Sequence, residues 1–157
     1  MAVELRGLTD NARKTAISEL NGRLADSIAL ALAVKQAHWN VKGRNFIAVH
    51  ELLDMLHNNL REQIDVMAER VQQLDGVALG TVEKVSGSTT LAEYPTDLTR
   101  AEDHIRALCD RYREHGEKLR LAIDATDEAG DADTADIFTA ASRTVDKDLW
   151  FMESHLE

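Results

Sequence analysis

The stretch VKQAHWNVKG, residues 34–43, ends an apolar helical pattern and places His38 and Trp39 shortly before a glycine. A histidine at a helix end ordinarily caps the last carbonyl groups and interacts with the negative pole of the helix. Here the chain turns at once into a second helical pattern that carries another histidine, His50. Whether His38 is a structural cap or part of a site therefore depends on what the second helix carries.

The rest of the sequence indicates an all-α fold. Its single proline, its few aromatic residues (4%) and its many Ala, Leu, Glu and Arg residues favour helix, and no two-residue alternation predicts a strand. Helical periodicity predicts four long helices, at about residues 9–41, 46–74, 97–127 and 133 to near the C-terminus. The connection between the second and third helices is long, and its segment LAEY, residues 91–94, is expected to form a short extra helix. One long crossover in a four-helix bundle is the ferritin-like connectivity.

The composition narrows the class of protein. One cysteine, Cys109, cannot form an intramolecular disulfide, which favours a reducing compartment, and we expect it to be a buried packing residue. No signal-peptide core or membrane-spanning stretch is seen, so a cytoplasmic protein is expected. The net charge of −10 repels nucleic acid on average and favours cations. The length fits a single domain over residues 1–157, with residues 1–8 as a short N-terminal arm.

The second helix carries a flank of candidate metal ligands beside its apolar stripe. His50 and Asp54 are four residues apart, as are Asp65 and Glu69, so each pair projects from one face of the helix. Imidazole nitrogen together with carboxylate oxygen suits iron, zinc or manganese. One such pair is common on ion-pairing helix surfaces, but two pairs on one flank after His38 favour a metal site.

The spacing of the two pairs indicates how such a site would close. His50 and Asp65 are fifteen residues apart, which is about 22 Å along a helix. Metal–ligand bonds are only about 2.0–2.2 Å long, so one ion cannot contact both pairs on a straight helix. Two copies packed antiparallel about a two-fold axis near Asn59 or Leu60 would bring unlike pairs together twice. His38 would join the His50 end, which predicts a ligand in a shared site.

The competing interpretation is a site inside one bundle, as in ordinary ferritins. Such sites use Glu-x-x-His on two helices. No histidine of this sequence has a glutamate three residues before it, and only Asp54-x-x-His57 comes close. The intrachain site is therefore disfavoured. We interpret His57 as a histidine of the dimer interface, with a ligand role as the alternative.

At this point three segments resemble a known family. HWNVKGRNFIAVHELLD (38–54), IDVMAERVQQLDGVALGT (64–81) and DTADIFTAASRTVDKDLWFMESHLE (133–157) look like the Dps family, the ferritin-like DNA-binding proteins from starved cells. The likeness covers nearly the whole chain. Five positions match the spacing of the family's ferroxidase ligands: His38, His50, Asp54, Asp65 and Glu69.

The resemblance implies both an assembly and a reaction. The assembly would be a hollow homododecamer with ferroxidase sites at its two-fold interfaces. The reaction would be oxidation of Fe(II), preferably by hydrogen peroxide, followed by storage of the ferric mineral, which protects the cell from oxidative damage. Zinc or manganese could occupy the same ligands without turnover.

The resemblance also implies roles for individual residues. His38, His50 and Asp54 of one subunit would hold one iron, and Asp65 and Glu69 of the partner would complete the site. Glu69 would bridge to a second, weaker iron, which gives two iron ions per site. Trp39 resembles the family tryptophan near the site and would trap stray oxidising equivalents, with simple interface packing as the alternative.

The segment DEAGDADTAD, residues 127–136, concentrates acidic residues at the start of the last helix. One interpretation is a solvated turn in which Asp133 is the N-cap of that helix. The other, supported by the family resemblance, is a cation funnel at a three-fold pore for iron uptake, formed by Asp133 and Asp136.

The terminal segments bear on DNA binding. Family members that condense DNA use Lys-rich mobile arms, because neutralising phosphate needs clustered cations. The N-terminal arm has Arg6 against Glu4 and no lysine, and the C-terminus ends in acid. Weak or absent DNA binding is therefore expected. The alternative is a nucleoid-associated, DNA-condensing protein with a secondary metal role, in which Arg6, Arg13 and Lys14 of many subunits suffice at low salt.

Overall fold

The computed structural model describes residues 5–156, which form five α-helices and, within that range, no β-strand. The helices are α1 (Asp10–Asn40), α2 (Phe46–Gln73), α3 (Val82–Ser88), α4 (Ala101–Ala129) and α5 (Ala132–Glu153). The four long helices form a bundle in which α1 contacts α2 and α4, and α5 contacts α4 and α2. The all-α prediction is confirmed. Met1–Glu4 of the predicted arm and Glu157 lie outside the described residues.

The hairpin of α1 and α2 has clear local causes. Thr9 is the N-cap of α1, and its side chain accepts a hydrogen bond from the backbone N–H of Ala12 at 3.1 Å. The chain reverses at Gly43 (φ 111°) and Asn45 (φ 59°), conformations that glycine and asparagine adopt most readily. Fully buried residues of both helices then meet in one core, of which Leu60 is a member. Burial of each such leucine contributes about 1.5–3 kcal/mol.

The crossover contains the predicted short helix, but at different residues. The short helix is α3, which begins after the N-cap Thr81, whereas residues 91–94 are not helical. The physical reason is that Arg111 of α4 donates hydrogen bonds to the carbonyl oxygens of Ala92 and Glu93. These carbonyls are therefore satisfied by a side chain rather than by a helix. Buried Asp26 of α1 accepts hydrogen bonds from the residues just after α3, which fixes the crossover against α1.

The turn between α4 and α5 also corrects a prediction. Gly130 ends α4 with φ 95°, and the N-cap of α5 is Asp131, whose side chain accepts a hydrogen bond from the Thr134 N–H at 3.1 Å. Asp133, the predicted cap, lies instead in the first turn of α5. Asp131 is the N-cap because Arg70 of α2 donates a hydrogen bond to its carboxylate at 2.9 Å, a contact between residues far apart in the sequence.

Two further features follow from the packing. Cys109 is buried on α4, as predicted, and burial raises the pKa of its thiol to about 11. Within residues 5–156, none of the helices combines the length and the apolar character that a membrane span requires.

Candidate metal centre

The α1–α2 hairpin brings two of the predicted ligands into direct contact. His38 lies near the end of α1 and His50 in the second turn of α2, and their rings stack with centroids 3.7 Å apart and 22° between the planes. His38 Nδ1 lies 3.0 Å from the carbonyl oxygen of His50, and His50 Nδ1 lies 3.0 Å from the carbonyl oxygen of His38. Each histidine is therefore held by the backbone of the other.

These contacts fix the tautomer of both rings. A carbonyl oxygen can only accept a hydrogen bond, so each Nδ1 carries the hydrogen and donates it. In the neutral ring the lone pair then lies on Nε2, the atom that can bind a metal. Metal-binding histidines are commonly oriented in this way by a backbone carbonyl on the other ring nitrogen. The donor set of His38 and His50 thus fits a metal ion.

Asp54 lies one turn after His50, and its carboxylate is held by a residue that the sequence did not single out. Lys35 Nζ of α1 lies 2.6 Å from Asp54 Oδ1, and His38 Nδ1 lies 3.5 Å from the same oxygen. The hydrogen bond from Lys35 is the main cause that lowers the pKa of Asp54, and His38 adds to the effect. Asp54 is therefore ionised and oriented. We call His38, His50 and Asp54 the histidine half-site.

Asp65 and Glu69 form a separate group, the acidic half-site. Both are exposed on α2, and Asp65 lies about 22 Å along the helix from His50. Within residues 5–156, no three His, Cys, Asp or Glu side chains come together in a way that could hold a metal ion. One chain therefore presents two incomplete half-sites. That they join across a two-fold axis stays a prediction.

Trp39 and His57 border the histidine half-site. Trp39 follows His38 directly, and 69% of its surface is exposed in the single chain. His57 lies three residues after Asp54 and is half-buried, and burial, followed by the charge of Lys35, lowers the pKa of its ring. Leu32 and Ile47 are also about 60% exposed on the same two helices. The two helices that carry the half-site thus also expose apolar side chains in the single chain.

The predicted pore residues lie at the other end of α2. Asp133 and Asp136 are exposed on the first turns of α5, one turn apart. The described part of the N-terminal arm lies against the same turn: residues 5–8 line a cleft of about 290 Å³ together with Arg70 and Asp133. Leu5 and Leu8 pack against the core. A pore formed by several copies stays a prediction.

Comparison with known proteins agrees with this architecture. The sequence profile of the ferritin-like domain matches residues 17–157. A DNA protection during starvation protein from Agrobacterium fabrum is 55% identical over 150 residues, which cover 96% of this chain and 93% of that protein. The predicted ferritin-like fold is confirmed by solved structures with similar chains.

Two such structures are similar over almost their whole length. DpsC from Streptomyces coelicolor has a TM-score of 0.93 and 31% sequence identity, over 99% of this chain and 92% of that chain. Dps from Microbacterium arborescens, solved in the high iron form, has a TM-score of 0.88 and 34% identity, over 94% of this chain and 96% of that chain. The shared sequence, the matched profile and the common fold establish that this chain belongs to the Dps family of ferritin-like proteins.

Proposed function

We propose that the protein is a ferroxidase and an iron store. It oxidises Fe(II) at sites shared between two subunits, preferably with hydrogen peroxide as the electron acceptor. The ferric product is stored as mineral inside a hollow homododecamer. The family membership and the matching spacing of the five ligands support this proposal.

The observation that carries the proposal is the pair of reciprocal hydrogen bonds between His38 and His50. In the neutral rings both Nε2 atoms are then acceptors, and Lys35 holds the adjacent carboxylate of Asp54 ionised. A purely structural cap would need neither a second histidine nor a fixed tautomer. The half-site is instead arranged in advance for a divalent cation.

Each half-site lacks ligands that the other supplies, so two subunits would share one complete metal site. The histidine half-site offers two imidazoles and one carboxylate, and the acidic half-site offers two carboxylates, so together they make a complete set for Fe(II). A two-fold axis midway between Asp54 and Asp65 pairs them reciprocally. The exposed Trp39, Leu32 and Ile47 supply apolar surface for such an interface.

The chemistry needs two Fe(II) ions at one site. Each iron, as substrate, gives up one electron, so two irons reduce one hydrogen peroxide to two water molecules with the uptake of two protons. The transfer of both electrons within the site avoids release of hydroxyl radical. His38, His50 and Asp54 bind and orient the iron, and Trp39 beside them would accept a stray oxidising equivalent. Zinc or manganese would bind without turnover.

The proposal also covers where the protein acts, how iron enters it and which metal it binds. The chain acts as one domain, residues 1–157, in the cytoplasm, and its activity protects the cell from peroxide and iron. Iron reaches the interior past Asp133 and Asp136. The Microbacterium arborescens relative was solved in a high iron form, which supports iron as the metal here. The Agrobacterium fabrum relative is named for DNA protection, which keeps nucleoid association as the alternative.

The test is the paired substitution of His38 and His50 by alanine. Fast Fe(II) oxidation by hydrogen peroxide should fall to the uncatalysed rate, while light scattering shows an intact assembly. The matched control is His155→Ala, which removes an exposed histidine far along the chain and should leave the rate unchanged. Unchanged peroxide consumption by the double variant would refute the site assignment.

A further inference from the structure

His57 differs from the other partly or fully buried histidines of residues 5–156. In His38, His50, His104 and His115 a ring nitrogen lies within hydrogen-bond distance of another residue. The His57 ring is half-buried, yet within residues 5–156 it has no hydrogen-bond or ion-pair partner. Neither ring nitrogen of His57 is among the buried polar atoms that lack a partner, so the ring is open to solvent and available to a ligand from outside its own chain.

The position of His57 indicates what that partner is. It lies three residues after Asp54 on α2, which places their Cβ atoms about 5–6 Å apart on one flank of the helix. The charges of Lys35, Asp54 and His38 all act on its ring, so it lies at the edge of the histidine half-site. Ferritin-like bundles build metal sites from a glutamate followed three residues later by a histidine, and Asp54-x-x-His57 is the shorter, aspartate version of that spacing.

Asp54 has an oxygen available for such an arrangement. Its contacts with Lys35 and with His38 are both made through Oδ1. A metal ion bound through Oδ2 would therefore not displace the Lys35 hydrogen bond. His57 lies one turn further along the same helix, at the spacing that places two side chains side by side.

We propose that His57 is an additional ligand, supplying a ring nitrogen to a metal ion bound by Asp54 Oδ2. This inference rests on the proposed function, because the ion occupies the same shared site. It gives each site three histidines rather than two, and the added imidazole strengthens the binding of one of the two metal ions.

The test measures metal binding rather than turnover. Zn²⁺, which is not oxidised or reduced, is titrated calorimetrically into the assembled protein, and Co²⁺ is titrated in parallel with its visible absorption recorded. We expect His57→Gln to weaken one of the two binding events on the order of 10-fold and to change the Co²⁺ spectrum. His155→Gln, which removes an exposed histidine, is the matched control and should leave both events unchanged.

Each contrary outcome has a clear meaning. Wild-type Zn²⁺ affinity and an unchanged Co²⁺ spectrum in His57→Gln would overturn the proposal. Dissociation of His57→Gln into smaller species by light scattering, without metal, would assign His57 to the subunit contact and would also overturn it. If the paired His38→Ala and His50→Ala variant binds Zn²⁺ as the wild type does, the proposed function itself fails. If that variant loses Zn²⁺ and His57→Gln does not, only this inference fails.

Discussion

His38 and His50 each donate a hydrogen bond from Nδ1 to the backbone carbonyl oxygen of the other, with both distances 3.0 Å. The α1–α2 hairpin therefore does more than connect two helices, because its geometry sets the ring orientation and tautomer of two proposed ligands at once. A substitution that changes the backbone of the turn should therefore change the affinity for metal, even where no proposed ligand is altered.

The first prediction concerns that turn. Gly43→Ala adds a methyl group that contacts nothing within 4 Å, but it strains a backbone with φ 111°. We expect a loss of about 1–2 kcal/mol in unfolding free energy and weaker Zn²⁺ binding. Gly87→Ala in α3 is the matched control, since its added methyl group is equally free and no positive φ is required there. Equal Zn²⁺ affinities for the two variants would show that the turn does not orient the ligands.

The second prediction concerns the interior. Asp148 of α5 is fully buried, accepts a hydrogen bond from Asn59 at 2.7 Å, and has its pKa raised by burial from 3.8 to about 7. Between these two pKa values the folded state binds more protons than the unfolded state, so stability falls as pH rises. Asp148→Asn stays uncharged and should be more stable than the wild type at pH 8, by at most about 4 kcal/mol.

Thermal unfolding at a fixed protein concentration measures this difference. This difference in stability should shrink as pH falls and become small at pH 4, close to the pKa of 3.8 that the carboxyl has in the unfolded state. Asp124→Asn, at an exposed position of α4, is the control and tests whether any loss of a surface carboxylate has the same effect. A stability difference that is the same at pH 4 and pH 8 would exclude ionisation of Asp148 as its cause.

Much of the fold was predictable because long amphipathic helices carry a repeated signal. The bounds of α1 and α2 follow from apolar spacing, from the cap at Thr9 and from the turn at Gly43. The short helix of the crossover is present, but its predicted position was wrong. Residues 91–94 are fixed by Arg111, nineteen residues after Ala92, and a contact over that distance leaves no local sequence pattern. The predicted N-cap of α5, Asp133, was wrong for the same reason, since the contact that favours Asp131 comes from Arg70, far away in the sequence.

The candidate site, like the fold, has parts that the sequence predicts and parts that it does not. The ligand positions could be predicted because they lie at helical spacings within α2. Lys35 could not, because its role depends on the packing of α1 against α2, which brings Nζ to Asp54 Oδ1. The sequence offered one indication of this role, because Lys35 lies one turn before His38. The hydrogen bonds between the two histidines could not be predicted from the sequence either, since each is accepted by a backbone oxygen rather than by a side chain.

The third prediction concerns iron uptake. Asp133 and Asp136 are exposed and one turn apart on α5, and their carboxylates would attract Fe(II) if several copies meet there. Asn at both positions should slow mineral formation several-fold while Zn²⁺ still binds the ferroxidase sites at equilibrium. Asp124→Asn, at an exposed position of α4, is the control. Wild-type mineralisation rates in the double variant would remove these residues from the path of iron.

The fourth prediction concerns DNA. The body is acidic, the described arm residues Leu5 and Leu8 pack against the core, and the first eight residues contain no lysine. We therefore expect little or no plasmid binding in a gel-shift titration at ~150 mM salt. An added Lys-rich N-terminal extension should create binding. A stable complex formed by the unmodified protein, and lost on deletion of residues 1–8, would show that the arm is a DNA-binding element.

The central claim is that each ferroxidase site takes its ligands from two subunits, and subunit mixing tests it most directly. One variant carries His38→Ala with His50→Ala, and the other carries Asp65→Asn with Glu69→Gln, so each retains only one half-site. Stopped-flow oxidation of Fe(II) by hydrogen peroxide should be lost in either variant alone. In a randomly mixed assembly half the dimers contain both variants, and one of their two sites is intact, so about one quarter of the wild-type sites should return. Activity in either variant alone, or no recovery in a mixture shown to contain both subunits, would contradict the shared site.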